Sequence, residues 1–488
     1  MLPEQPTPAT RPTLAALPIA LFAATLVGPA ATPAAAQTTD DPYPEPIEAE
    51  AGVIVVGVAE FASVPDVGGE PARLMTLRPE PGTDRLFVSD MRGLIYRVSH
   101  DGSRVTEYLN VDEPEWDVRV EASGRERGIQ SFAVHPQFHQ EGAPGYGKLY
   151  TWVDTRNTDP EPDFPFVGDR VSHHTVLLEW TADDPGSDVY EGSPPRELAR
   201  FEQPYGNHNG GDLTFNPLAS PEEAEFGLLY VGVGDGGAGG DPHDVAENLS
   251  SGFGKILRID PLGSGGRSGE YGIPGGNPFA DDGEPESLAE IYAYGLRNPQ
   301  HFAWDAATGR MFVADIGQNM VEEVSPVTPG ADLGWNAWEA SFGFVDRGAV
   351  RTSNRRGDPD VTYPVAEYDH ADPLVGPRAA VTGLHVVRES GPPELDGLLL
   401  FGDLPSGEIF WVNADDLPDG GQSAVRRVLL DDGSGPRTFL ELVQAKNREQ
   451  GREPSQRTDL RLGEGADGRI FLLDKHDGTI RVLTGGGG

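Results

Sequence analysis

From about Val53 onward, apolar residues come in short β-type runs, separated by turns rich in Gly, Pro, Asp and Asn. Long segments with an apolar stripe of helical period do not stand out, so the pattern predicts strands and turns rather than helices. The runs fall into pairs. Arg85–Asp90 leads through Arg92 and Gly93 to Leu94–Val98, and Lys148–Val153 is followed by Thr175–Trp180. Leu228–Val233 leads to Lys255–Ile259, and Arg310–Asp315 to Val321–Val324. Leu398–Asp403 leads through Ser406 and Gly407 to Glu408–Val412. Arg469–Asp474 leads through Asp477 and Gly478 to Thr479–Val482. Each unit is an apolar strand, a small or acidic turn, and a second, amphipathic strand.

Six such units repeat at a spacing of roughly 60 to 90 residues, more than the about 40 to 50 that four short strands need. The expectation is an all-β fold, a six-bladed β-propeller of four-stranded antiparallel sheets with a sizeable loop in each blade. A multi-sheet β-sandwich is the alternative. A propeller gathers loops from every blade at one mouth of its central channel, so residues far apart in sequence can meet there.

Ahead of these repeats the texture differs. Arg11, the apolar stretch Leu14–Val27 and the small residues Ala34–Ala36 read as a secretory signal over residues 1–36, cleaved near Ala36. Residues 37–52 are rich in Thr, Asp, Pro and Glu and read as a flexible linker before a domain over 53–488. This predicts a secreted or periplasmic protein with no membrane span in its mature form. Cysteine is absent, which excludes disulfides, thiolate metal sites and cysteine nucleophiles. Without disulfides, stability must come from a sizeable core. The net charge of −41 repels nucleic acid and anionic membranes. Lysine is confined to Lys148, Lys255, Lys446 and Lys475.

Candidate chemistry lies in the loops. His208 sits in Tyr205–Asp212, a loop carrying Asn207, Asn209 and three glycines. Neutral imidazole can accept a proton. About 90 residues later, Arg297 and Asn298 lie in Tyr294–Gln300, where Pro299 biases Asn298 away from helix. A guanidinium there stabilises negative charge. Gly234–His243 is glycine-dense with two acids; it offers oxygens to a hard cation or is a long turn without metal. Glu322 and Glu323, next to Asp315–Asn319, point to opposite faces of a strand and make a poor catalytic pair.

Several blocks, in this order, resemble the glucose/sorbosone dehydrogenase family. They are Glu126–Phe138, His208–Gly211, Gly234–Gly237, Gly254–Asp260, Tyr294–Pro299 and Asp315–Asn319. The resemblance covers nearly all of the chain after Val53. It implies a six-bladed propeller that oxidises the C1 hydroxyl of an aldose or related polyol, using pyrroloquinoline quinone (PQQ) and calcium, with an external electron acceptor. It implies His208 as general base and Arg297 as stabiliser of charge on the quinone. It further implies Glu126, Asn298 and Arg457 as cofactor contacts, with Arg461 the other late-arginine candidate, and the carbonyls of Gly317 and Gln318 facing calcium. Two positions depart from the family. Its lysine for a quinone carboxylate has no counterpart in Phe401–Gly407, where Pro405 stands with no lysine near in sequence, and its common arginine after the His-Asn-Gly-Gly block is Asp212. Two other functions remain open: a non-enzymatic extracellular propeller binding carbohydrate or protein, and a calcium-dependent lactonase.

Overall fold

The computed structural model describes residues 38–486, apart from 167 and 169. The expected signal peptide over 1–36 lies outside the described residues. Among the described residues the fold is all-β apart from one α-helix and two short 3-10 turns. Most sheets are four-stranded and antiparallel, consistent with a propeller. The first is typical: Leu74–Pro79, Leu86–Asp90, Leu94–Val98 and Val105–Asn110 pair in chain order.

Four of the six expected hairpins supply the two middle strands of a four-stranded sheet, and the last two lie within one eight-stranded sheet. The inner flanking strands are Leu74–Pro79, Ile129–Val134, Leu213–Phe215, Pro299–Trp304, Val381–Val386 and Arg461–Glu464. Most pack directly against the next in chain order, and the last returns to the first. Between Leu213–Phe215 and Pro299–Trp304 the contact runs through Asp212, whose amide donates to the Pro299 carbonyl at 3.3 Å. The inner ends of the sheets thus surround one axis.

One sheet departs from the four-stranded pattern. Eight strands run in the order 381–386, 398–403, 409–413, 426–431, 54–63, 479–484, 470–473, 461–464. Its two halves meet where Ile54–Ser63 pairs in parallel with Arg426–Asp431. The same strand pairs antiparallel with Thr479–Thr484, so the start of the domain is stitched to its end.

Two local expectations are corrected. Residues 38–52 are not a free linker. Thr38–Thr39 pairs with Val350 and Arg351, the Tyr43 hydroxyl donates to Glu367 at 2.5 Å, and the Ile47 amide donates to Asp372 at 2.7 Å. Acidic side chains take over main-chain donors that a strand would satisfy, and Ile47 is buried. The second correction is the helix Phe439–Glu449. Thr438 and Glu441 form a capping box, and Phe439, Leu442 and Val443 bury against Val428, Leu430 and Leu460.

Candidate active site

The innermost strands begin at one mouth of the axis, and the loops entering them build a cavity of about 280 Å³. Every expected site residue lines it: Glu126, His208, Arg297, Asn298, Gly317, Gln318 and Arg457. A separate cavity of about 330 Å³ occupies the opposite ends of the same strands, and its walls, including Leu77, Phe215, Trp304 and Leu384, are largely apolar.

His208 is held in a left-handed backbone conformation at φ 55°. Its chain passes so close to Gly234 that a Cβ there would lie 2.3 Å from the His208 carbonyl oxygen. The imidazole is buried, and Nδ1 lies 2.7 Å from Asp235 Oδ1. Asp235 also accepts from the Trp335 indole at 3.0 Å and from the Gly237 amide at 2.9 Å. Burial works to raise the Asp235 pKa, but the His208 ring, its hydrogen bond, Arg297 and the Gly237 amide outweigh it and hold the carboxyl below its ordinary value. An ionised Asp235 accepts Nδ1–H, which leaves the Nε2 lone pair as the basic site. The His208 amide donates to Glu126 Oε2 at 3.2 Å, tying the cavity rim to the histidine loop.

Asp235 also links His208 to Arg297, because its own amide donates to the Arg297 carbonyl at 2.8 Å. The loop of Arg297 and Asn298 is fixed by Asp315, whose two oxygens accept their amides at 2.8 and 2.6 Å. Burial is the main force on Asp315 and pushes its carboxyl up to about 7 despite those amides and the Arg297 charge. The Arg297 guanidinium lies 5.7 Å from the Trp335 ring centroid and donates to the Ile316 carbonyl at 2.8 Å and to Gln318 Oε1 at 3.3 Å.

Gly317 and Gln318 enter a tight turn whose amides converge on one acid. Glu339 Oε1 accepts from the amides of Gln318, Asn319, Met320 and Val321 at 2.8, 3.1, 2.9 and 3.2 Å. A Cβ at Gly317 would fall 1.7 Å from the Val321 carbonyl oxygen, so the turn admits only glycine. No described residue donates a hydrogen bond to the carbonyls of Gly317 or Gln318, whereas the neighbouring Ile316 carbonyl is taken by Arg297.

Six cations line the cavity, namely Arg125, Arg297, Arg378, Arg457, Arg461 and Lys475, against two acids, Glu126 and Asp459. In a chain of net charge −41, this local excess marks a site for an anion. Arg457 is engaged with Asp459 at 3.1 Å, while Arg461 donates to Gln300 at 3.2 Å and Thr382 at 2.6 Å. Burial works to raise Asp459, but Lys475, His476 and Arg457 keep it well below the usual carboxylate range. The expectation that no lysine stands near the Pro405 position holds only along the sequence. Pro405 and Lys475 line the same cavity, brought there by different sheets.

The remaining predicted features fall elsewhere. Asp212 is buried among the inner strands, ion-paired to Arg78 and accepting from Ser131 at 3.0 Å and the Phe302 amide at 3.1 Å. In Gly234–His243, the residue that matters to the cavity is Asp235, to which sequence reading gives no role of its own. Behind that loop, Lys255 Nζ donates to the carbonyls of Val245, Ala246 and Phe253 at 2.9, 2.7 and 2.7 Å. Among the described residues, no cluster of three or more His, Asp or Glu is placed to hold a metal. No helix among them is long and apolar enough to cross a membrane.

The fold compares with solved structures of aldose sugar dehydrogenases. The PQQ-bound enzyme of Streptomyces coelicolor aligns with TM-score 0.55 and 22% identity, over 88% of this chain and 98% of that one. The apo-form soluble enzyme of Escherichia coli aligns with TM-score 0.58 and 18% identity, again over 88% and 98%. At such identities the likeness speaks for the fold. Among curated proteins, HIPL1 of Arabidopsis thaliana is 29% identical over 385 residues, covering 72% of this chain and 54% of the relative. Mouse Hedgehog-interacting protein is 27% identical over 229 residues, covering 46% and 29%. The chain thus spans about half, or less, of the length of these curated relatives. The Glucose / Sorbosone dehydrogenase family matches residues 71–437, a span holding all the expected site residues except Arg457, and the chain belongs to that family.

Proposed function

We propose that this protein is a PQQ-dependent, calcium-assisted sugar dehydrogenase that oxidises the C1 hydroxyl of an aldose or related polyol. In this reading the eight-stranded sheet counts as two blades, which makes six, and residues 53–488 form the catalytic domain. Residues 1–36 direct export, and an external acceptor removes the electrons.

The observation that carries the reading is one cavity in which His208, backed by Asp235, shares the walls with Arg297 and an excess of cations. A tricarboxylate quinone fits such walls, and the orphaned Nε of buried Arg461 is a donor suited to it. When bound, the quinone supplies the hydride acceptor and calcium polarises it. His208 Nε2 takes the proton of the sugar hydroxyl, and Asp235 holds the ring and stabilises the imidazolium that results. Arg297, fixed by Trp335 and Ile316, places its charge where negative charge grows. Asn298, Glu126 and Arg457 position the cofactor. The carbonyls of Gly317 and Gln318, which no described residue engages, are the groups that would face calcium.

The test is reconstitution with PQQ and calcium, followed by dye reduction with a panel of aldoses. Sugar-dependent reduction that needs both additions is expected. Absence of both quinone uptake and dye reduction contradicts the proposal. The likeness to Hedgehog-interacting protein favours a second reading, a partner-binding propeller without redox chemistry; measurable quinone affinity counts against it.

A further inference from the structure

The turn Phe401–Gly407 has Pro405 where the family pattern has a lysine. Pro405 contributes only main chain to local bonding: its carbonyl accepts the Thr458 amide at 2.9 Å. Another lysine reaches the same cavity from the last hairpin. Lys475 follows the strand Ile470–Leu473, and its side chain is only 4% exposed. Its Nζ donates to the Arg125 carbonyl at 2.9 Å. The nearest acid oxygen, Asp459 Oδ1, is 3.9 Å away, beyond hydrogen-bond reach. An ammonium carries three donors, and among the described residues only one is used.

A buried charge with unmet donors is costly unless an anion completes it. Asp459 does not complete it, because Arg457 and His476 also face that carboxylate at 3.1 and 3.2 Å. Arg378, another cation of the cavity wall, is exposed and has no described polar partner, and Arg457, beside the Thr458 that bonds Pro405, is engaged with Asp459. Lys475 is therefore a preorganised cation of this wall, held in place and with donors to spare.

We propose that Lys475 replaces the lysine that the family pattern places at Pro405, and that its ammonium holds a carboxylate of the quinone. The inference rests on reading the cavity as a quinone site. A sequence change at one sheet is then compensated from another, keeping the charge in place while moving its attachment.

The test is calorimetric titration of PQQ, with calcium present, into the full-length protein and its variants, without sugar. Lys475→Gln keeps a donor for the Arg125 carbonyl and removes the charge. It is expected to weaken quinone binding roughly tenfold to hundredfold. Lys475→Arg is expected to stay within about threefold of native, since the charge remains. Adding Pro405→Lys to Lys475→Gln is expected to restore most of the lost affinity. Melting curves of the unloaded variants, expected to match the native protein within a few degrees, separate this from misfolding. The inference is overturned if Lys475→Gln binds as tightly as native, if Lys475→Arg loses as much as Lys475→Gln, or if Pro405→Lys rescues nothing. If the native protein itself takes up no quinone, the reading of the cavity falls, and this inference with it.

Discussion

At the scale of single residues, the central unit is His208 with Asp235. Asp235→Asn keeps the size but removes the acceptor that fixes the ring tautomer. It is expected to lower kcat about hundredfold or more while quinone affinity changes little. Steady-state kinetics beside calorimetry check this; equal kcat in variant and native protein contradicts it. Lys475 gives a pH dependence. Burial is the main force that lowers its ammonium to about 8, with Arg461 and Arg73 adding to it and Asp459 and Glu126 opposing it. His476 and Asp474, its chain neighbours, and Arg457 on Asp459 share this environment. The sign follows from the charged form: Lys475 is a cation below about 8 and loses its charge above it. Affinity for an anionic quinone should therefore fall as pH rises past that value, starting higher if the bound anion holds the proton, and Lys475→Arg should flatten the fall. A titration series across pH reads this directly. His208 and Arg297 were legible in the sequence because ordered family blocks carry them. The roles of Asp235, although it lies in the Gly234–Gly237 block, and of Lys475 were not, because they depend on which loops meet at the cavity, and nothing in the local sequence states that.

Among elements, the loop behind His208 depends on Lys255. Its ammonium bonds three carbonyls, of which those of Val245 and Ala246 also accept the amides of Asn248 and Gly295, so Lys255→Met orphans the buried Phe253 carbonyl. The loss is expected to be about 1–3 kcal/mol by urea unfolding, the usual cost of one orphaned buried polar group. An unchanged midpoint contradicts this clamp. The six hairpins were legible because each joins two adjacent, well-buried strands, and their apolar runs announce them. Inner strands such as Leu213–Phe215 and Arg461–Glu464 are short, and their polar members face the axis, so they carry no clean alternation. The helix Phe439–Glu449 is too short to show as long apolar periodicity, although Thr438 and Glu441 spell its capping box. Residues 38–52 read as linker because their ordering comes from side-chain carboxylates of distant segments.

The whole molecule combines a strongly acidic composition with a cationic cavity at His208. Screening of its self-repulsion should raise the melting temperature as sodium chloride increases from low to moderate concentration; a melting temperature that falls over that range contradicts the account. Ring closure also belongs to this scale. Ile54–Ser63 joins Thr479–Thr484 to Arg426–Asp431, a pairing across the length of the chain that no local pattern in the sequence announces. The acidity itself was plain from composition, but its local reversal emerged only when loops from different sheets were placed together. That reversal, facing His208, is the basis of the functional account. The most direct test is dye reduction by an aldose after loading native protein and His208→Ala with PQQ and calcium. The account predicts quinone- and calcium-dependent turnover in the native protein and a loss of at least about a thousandfold in the variant, with quinone uptake retained. Native protein that binds no quinone and oxidises no sugar, or a variant as active as native, would contradict it.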